Sequence, residues 1–309
     1  EVRKEEAETA DVASLQSSFY PLSVMETGSD ILFFWVARMA MLCSFLEKKS
    51  LPTNAASVAG GCGSSDDDGR PFERVLLHPM VRDKRGRKMS KSLGNVVDPL
   101  DIMRGATLES LQATLELNTN MSCKEKRRSM LDLEKAYPKG IPECGVDGLR
   151  YALCSYLEGP DMGGTINLDI QRAVSARHMC NKLWNASKFI LSTEDVISSG
   201  EGEEREEEWT TPYEEWSRPP CPKRGDQRLI DRWMLSRIAK CVRDVNMSMD
   251  HFKLASATSS LRNHLIHDLC DVYIEISKRE VSQSKVVGDT LRTALATYLK
   301  LLHPIMPYV

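Results

Sequence analysis

The chain has 309 residues, a formal net charge of −3 and a pI near 6.2, with 41% hydrophobic and 28% charged residues. That length suggests two domains rather than one, and the apolar share excludes a wholly disordered, collagen-like or coiled-coil protein. The charge excludes a uniformly basic nucleic-acid coat but leaves room for local basic patches. Nine cysteines, odd in number and without CxxC spacing, point to reduced thiols in an intracellular protein rather than to a zinc site or a disulfide framework. Glu1 to Lys4 is charged, and no apolar leader with a cleavage site follows it. The first residue is not Met, and the expectation is a fragment.

In chain order, the first element is the apolar run Ile31 to Leu46, 16 residues interrupted by Arg38. It is shorter than the roughly 20 residues a membrane span needs and reads as a buried helix. Ser50 to Pro71, made of Gly, Ser, Ala and Asp, has too little apolar surface to offset its ordering entropy and reads as a solvated insert. Arg74 to Val81 reads as a strand buried for most of its length, with Pro79 marking an edge or a strand end. A charged loop follows, and then a short helix with Asp98 as N-cap, Pro99 in its first turn and Gly105 at its end. Helix, strand, loop and helix in that order fit part of an α/β nucleotide-binding sheet.

Beyond a connecting stretch, 106 to 170, the pattern becomes helical. Ala173, Ala176, Cys180, Leu183, Ser187 and Ile190 share one face at three-to-four spacing. A second insert, Thr193 to Gly225, carries six Glu between 201 and 208 and then a Pro-rich run. After it come Leu229, Ile230, Trp233, Met234, Ile238, Cys241 and Val245. Next are Leu261, Leu265, Leu269, Val272 and Ile276, then Leu291, Leu295, Tyr298 and Leu302, with Pro304 and Pro307 ending the last helix. These are amphipathic helices of a bundle.

The stretch that carries chemistry is Arg82 to Asn95, RDKRGRKMSKSLGN, in which six of the ten residues 82 to 91 are basic. Such a loop, hinged at Gly86 and Gly94, suits an anion: lysines on it can meet negative charge as it develops on phosphate oxygens. A solvated hairpin is the bland reading. The letters go further, because Lys88-Met89-Ser90-Lys91-Ser92 resembles the KMSKS signature of class I aminoacyl-tRNA synthetases. The extension Leu93 to Leu100 is similar to that of the valine, isoleucine and leucine enzymes. A second block, Phe19-Tyr20-Pro21 and Met25 to Met39, resembles valyl-tRNA synthetases, with a Gly-x-Asp turn opening a helix. Ile31 to Met39 follows the valine pattern and not the polar run of the isoleucine enzymes. Ser29 departs from it, since that family usually has His there. Further similarity runs through Ile141 to Cys154, Arg177 to Ala186, Asp231 to Trp233 and Leu269 to Glu275.

The resemblance implies a fold of α/β plus all-α class: a partial Rossmann-like class I catalytic domain (1–105), a connecting helical region (106–170) and a helical anticodon-binding bundle (171–309). It implies valine activation with ATP and Mg²⁺, transfer of valine to valine tRNA, and a cytoplasmic location, with an organellar one left open. It also implies further parts of the synthetase outside this chain, namely the phosphate-binding His-Ile-Gly-His segment and the editing domain. By the same resemblance Lys88 and Lys91 contact ATP phosphates, Ser90 helps hold the closed loop, and Glu26, Gly28 and Asp30 lie at the adenylate. Trp35 walls the amino-acid pocket, and Arg177 and Lys182 touch tRNA. From the residues alone, Asp30 is an ordinary N-cap and Trp35 a core aromatic; Trp184 reads as a core aromatic, with base stacking on tRNA as the alternative, and Lys124, Lys126, Arg127 and Arg128 as a solvated helix face, with tRNA phosphate contact as the alternative. His264 and His267, beside Asp268, have an i,i+3 spacing compatible with a metal, but no further ligand of suitable type completes a site. A noncatalytic tRNA-binding or partner-binding module is the alternative function.

Overall fold

The computed structural model describes residues 20–50, 70–84, 86–90, 95–119, 121–158, 164–198, 222–281 and 284–309. Contacts divide the chain into two compact units, Glu1–Met80 with Pro160–Ile166, and Val81–Gly159 with Asn167–Val309.

The first unit holds a parallel pair, β1 (Met25–Gly28) and β2 (Val75–His78), in register from Met25 opposite Val75 to Gly28 opposite His78. Parallel neighbours require a crossover, and the helix α1 (Ala37–Ser50) lies within it. The chain leaves β1 through a 3₁₀ turn (Ser29–Ile31) and a π turn (Leu32–Val36) before α1 begins. Two expectations change here. The N-cap of the opening turn is Gly28, with no side-chain cap, so Asp30 lies inside the turn. The run Ile31 to Leu46 is not a buried helix: only Val36 is buried, while Phe33 is 81% exposed and Phe34, Trp35, Met41, Leu42 and Phe45 are also exposed. A two-stranded sheet is too narrow to cover this apolar surface. By length and composition alone, Ser29–Leu46 is apolar enough to cross a membrane.

The strand expected over Arg74 to Val81 is two strands, half-buried rather than buried. β2 ends at His78, and β3 (Met80–Arg82) belongs to a different two-stranded sheet. Pro79 between them has no N–H to continue a ladder.

The second unit is mostly helical. α2 (Pro99–Arg104) has the expected ends: Asp98 Oδ1 accepts from Leu100 N–H at 2.8 Å, and Gly105 stops the helix at φ +77°. α3 (Leu108–Glu116) and α4 (Cys123–Ala136) follow, α4 opening on a Ser122–Glu125 capping box. α5 (Gly145–Cys154) packs on α2 and on α6 (Ile170–Ser198), and Ile102, Ile141, Cys144, Leu149, Ala152, Ile170 and Ala173 make a small core there. The short strand β4 (Thr165–Asn167) precedes α6. α6 runs to Ser198, past the expected start of the second insert at Thr193, because no Gly or Pro precedes Gly200 to break it. Most of both inserts lies outside the described residues.

The larger core joins α6 to α7 (Leu229–Asp250), α8 (Leu254–Asn263), a π-helical continuation (His264–Ile274), a closing turn α9 (Glu275–Ser277) and α10 (Lys285–Leu302). Leu261, Leu265, Leu269, Leu291, Leu295 and Leu302 are essentially inaccessible, each stabilising the bundle by about 1.5–3 kcal/mol through burial. Three expectations fail in this region. Leu229 is 80% exposed at the first turn of α7. Ile276 is half exposed, because the wider π turns shift the register. The buried residues recur every four positions, Ala257, Leu261, Leu265, Leu269, Tyr273 and Ser277, instead of at alternating three and four. Trp184 is 64% exposed rather than in the core, since Leu183, Ala186 and Ile190 take the inward face of α6.

Candidate functional site

In the first unit, the candidate residues gather at the carboxyl ends of β1 and β2, where open α/β sheets bind ligands. A Cβ at Gly28 would lie 3.0 Å from Asp30 Oδ1 and 3.5 Å from the His78 ring, so the carboxylate folds back close over the main chain. His78, paired across the strands with Gly28, has Nε2 3.3 Å from Glu26 Oε1. Glu26 and Asp30 are exposed acceptors, an arrangement able to take hydrogen bonds from ligand hydroxyls close to the main chain. Trp35 is 63% exposed on the π turn. His78 was not singled out in the sequence; its signal would have been its place as the last residue of the strand.

In the second unit, the basic run forms a hairpin closed by an antiparallel bridge between Arg82 and Lys88. Its tip turns at Gly86, φ +76°. The cations there are not equivalent. Arg82 Nη1 donates to Gly86 O at 3.0 Å, Lys84 lies 3.7 Å from Asp169, and Arg87 binds Asp83 at 2.8 Å and approaches Asp132 at 3.8 Å. Arg82 and Arg87 brace the hairpin, while Lys84 and Arg87 also face carboxylates outside it. Lys88 is exposed and has no ion pair among the described residues. Ser90 is half-buried, its N–H donating to Asn95 Oδ1 at 3.0 Å. Lys91, Arg85 and Gly94 lie outside the described residues.

Burial pushes the Asp83 carboxyl up, but hydrogen bonds from the Asn95 amide, the Arg87 backbone N–H and the Arg87 guanidinium outweigh it and hold the group below the usual carboxylate range. Beside the hairpin is a cavity of about 320 Å³ whose apolar lining includes Met89, Val96, Val97, Leu133, Ala136 and Leu168. Lys88 is exposed, whereas its neighbour Met89 is half-buried and lines the cavity.

On the bundle, Arg177 is exposed beside Gly145, while Lys182 is bound at 2.8 Å to Asp271, whose carboxyl that ammonium holds down. Trp184 lies on the same helix as both. Lys124, Arg127 and Arg128 are exposed on α4, and Lys126 donates to Glu116 O. His264 is buried, 3.1 Å from Asp268, while His267 is exposed and paired with Asp271, so the two imidazoles do not converge. Burial pushes the thiols of Cys241 up to about 12 and Cys270 up to about 11, which leaves them unreactive. The sequence reading also passed over Asp231, a fully buried carboxylate held by Arg228 and Tyr273.

Comparison with known proteins adds to this geometry. Residues 6–165 match the family model described as tRNA synthetases class I (I, L, M and V), and residues 231–309 match the anticodon-binding domain of tRNA ligase. A probable mitochondrial valine–tRNA ligase of Dictyostelium discoideum is 40% identical over 307 residues, covering 95% of this chain and 26% of that protein. The valine–tRNA ligase of Rattus norvegicus is 40% identical over 298 residues, covering 95% of this chain and 20% of its own. The chain therefore spans about a fifth to a quarter of the length of these curated relatives. In fold it is similar to the Agrobacterium radiobacter K84 LeuRS solved with tRNA and LeuAMS, with a TM-score of 0.54 at 14% identity over 93% of this chain and 26% of that one.

Proposed function

The chain belongs to the class I tRNA synthetases of the isoleucine, leucine, methionine and valine group, and from that premise we propose that it is part of a valine–tRNA ligase. In the reaction, a valine carboxylate oxygen attacks the α-phosphorus of ATP and the bond to pyrophosphate breaks. A hydroxyl of the terminal ribose of valine tRNA then attacks the adenylate carbonyl, and AMP leaves. Mg²⁺ enters with ATP as part of the substrate.

The observation that carries this reading is the basic hairpin. Arg82, Lys84 and Arg87 are engaged with partners in or beside the hairpin, while Lys88 projects to solvent in the letters KMSKS. Lys88 and Lys91 stabilise charge on the phosphates as pyrophosphate departs, and Ser90 fixes the loop between them. Glu26 and Asp30 accept hydrogen bonds from the ribose hydroxyls, Gly28 lets the adenylate approach the main chain, and Trp35 packs against the valine side chain. The bundle carries tRNA, with Arg177 as a phosphate contact. Lys182 reaches tRNA only by giving up its ion pair with Asp271. The exposed apolar surface around α1 is covered by other parts of the synthetase.

The test is valine-dependent ATP–pyrophosphate exchange. The longer protein carrying these residues is expected to exchange with valine and not with isoleucine, and the 309-residue chain is expected to bind tRNA without exchanging. Exchange dependent on another amino acid would overturn the valine assignment. Exchange by the 309-residue chain alone would overturn the division of the catalytic groups.

A further inference from the structure

The hairpin's shape depends on one amide that no motif letter assigns a role. Asn95 Oδ1 accepts from the Ser90 N–H at 3.0 Å, and Asn95 Nδ2 donates to Lys88 O at 3.1 Å and to Asp83 Oδ2 at 3.0 Å. A single side chain therefore ties together points 5, 7 and 12 residues away along the chain. Its anchor, Asp83, is itself fixed, with a side chain only 11% exposed and bonds from the Arg87 N–H and Nε, each at 2.8 Å. The three partners are two acceptors and one donor. An amide, with one carbonyl and one NH₂, matches that set, and neither a carboxylate nor a hydroxyl does.

We propose that Asn95 is a positioning residue for phosphate chemistry: clamped to Asp83, it sets the backbone register at Lys88 and Ser90 and so the place from which the Lys88 ammonium group reaches the ATP phosphates. The proposal rests on the reading of the hairpin as an ATP-binding loop. Preorganised charge stabilises a transition state only where it is held, and a displacement of about 1 Å of a catalytic group costs up to roughly a hundredfold in rate. Asn95 touches no reacting atom; it acts through the loop. It is only half-buried and its partners all lie in the same loop, so its loss should leave global stability nearly unchanged.

The experiment compares Asn95→Ala and Asn95→Asp with the wild type in two ways. In the longer protein, adenylate formation is measured with valine and ATP varied. Both variants are expected to lower kcat by roughly tenfold or more with KM for valine and the melting temperature unchanged. Asn95→Asp, although nearly the same shape, should be the worse of the two, because it sets a carboxylate against Asp83 and Lys88 O. Two carboxylates this close share a proton, so the ratio of Asn95→Asp to wild-type kcat should rise as pH falls toward 5, while the Asn95→Ala ratio stays flat. A silent Asn95→Asp, or equal losses with parallel pH profiles, would overturn the clamp. In the 309-residue chain, tryptic cleavage after Arg87 and Lys88 should be roughly tenfold faster in both variants, with unchanged melting; equal cleavage rates would overturn it as well. This second measurement needs no amino-acid activation. A wild-type protein without exchange activity therefore counts against the proposed function, while the cleavage rates still decide the clamp.

Discussion

Replacing Asp231 with Ala should destabilise the helical unit more than any surface change, although Asp231 is a polar residue in an apolar bundle. Its side chain has no exposure, and it accepts from the Arg228 backbone N–H at 2.9 Å, Arg228 Nε at 3.0 Å, Arg228 Nη2 at 2.8 Å and Tyr273 Oη at 2.8 Å. Burial pushes the carboxyl up, but the Arg228 and Tyr273 hydrogen bonds outweigh it and hold it below the usual range. Removing one partner of a buried pair costs about 3–5 kcal/mol. Arg228 is 31% exposed and also pairs with Glu280, so its stranded charge recovers some solvation, and the lower end applies, about 3 kcal/mol. Tyr273 is essentially inaccessible, and loss of its acceptor lies within that figure rather than on top of it. In a unit of this size the melting temperature should fall by roughly 6–12 °C. Urea titrations of the 309-residue chain give the free-energy loss and thermal melts the temperature shift, both followed by far-UV circular dichroism. Asp231→Asn, which keeps an acceptor for Tyr273, should lose about half as much, and Tyr273→Phe should lose little further in the Asp231→Ala background. A loss below about 1 kcal/mol for Asp231→Ala would refute the reasoning and mean that the carboxylate merely tolerates its site.

Lys91→Ala in the longer protein should lower the rate of adenylate formation about a hundredfold, the equivalent of about 3 kcal/mol, with valine affinity unchanged; stopped-flow or single-turnover kinetics would read it, and an unchanged rate would remove Lys91 from the chemistry. Trp184→Ala should weaken tRNA binding by the chain about tenfold, as loss of one stacked base would, with Trp184→Phe close to wild type and melting unaffected in both; equal affinities in a fluorescence titration would leave that exposed ring outside the RNA interface. His264 has its imidazole held below the ordinary value, first by burial, although Asp268 opposes the shift. The unfolded chain therefore takes up that proton first: the neutral ring's contribution is complete above pH of about 6.5 and is lost as pH falls below it. His264→Gln should flatten the stability profile between roughly pH 7 and 5, and an unaltered slope would mean another group governs it.

Local signals in this chain were readable because they act over a few residues. Asp98, Pro99 and Gly105 bound their helix because capping, ring closure and positive φ are properties of single residues. The faces of Ala173 to Ile190 and of Leu291 to Leu302 followed from helical periodicity, and the letters of the basic loop and of Met25 to Met39 carried the family. Periodicity misled where the helix itself changed: the π turns from His264 to Ile274 moved Tyr273 and Ser277 inward and Ile276 outward.

What a side chain meets across the fold had no sequence signature. The basic run reads as six equal cations, yet Arg82, Lys84 and Arg87 are spent on Gly86, Asp169, Asp83 and Asp132. Asn95 looks like the tail of a motif until its three partners are brought together. Trp184 and Phe33 are as apolar as any core residue, and their exposure depends on which elements stand opposite them. Composition, motif and local conformation are properties of short stretches and belong to the sequence. Burial, ion pairing and the parallel register of β1 with β2 join residues far apart in the chain, as Met25 meets Val75 and Lys182 meets Asp271 89 positions on. Only the tertiary structure decides them, because their free energies depend on partners that local sequence does not specify.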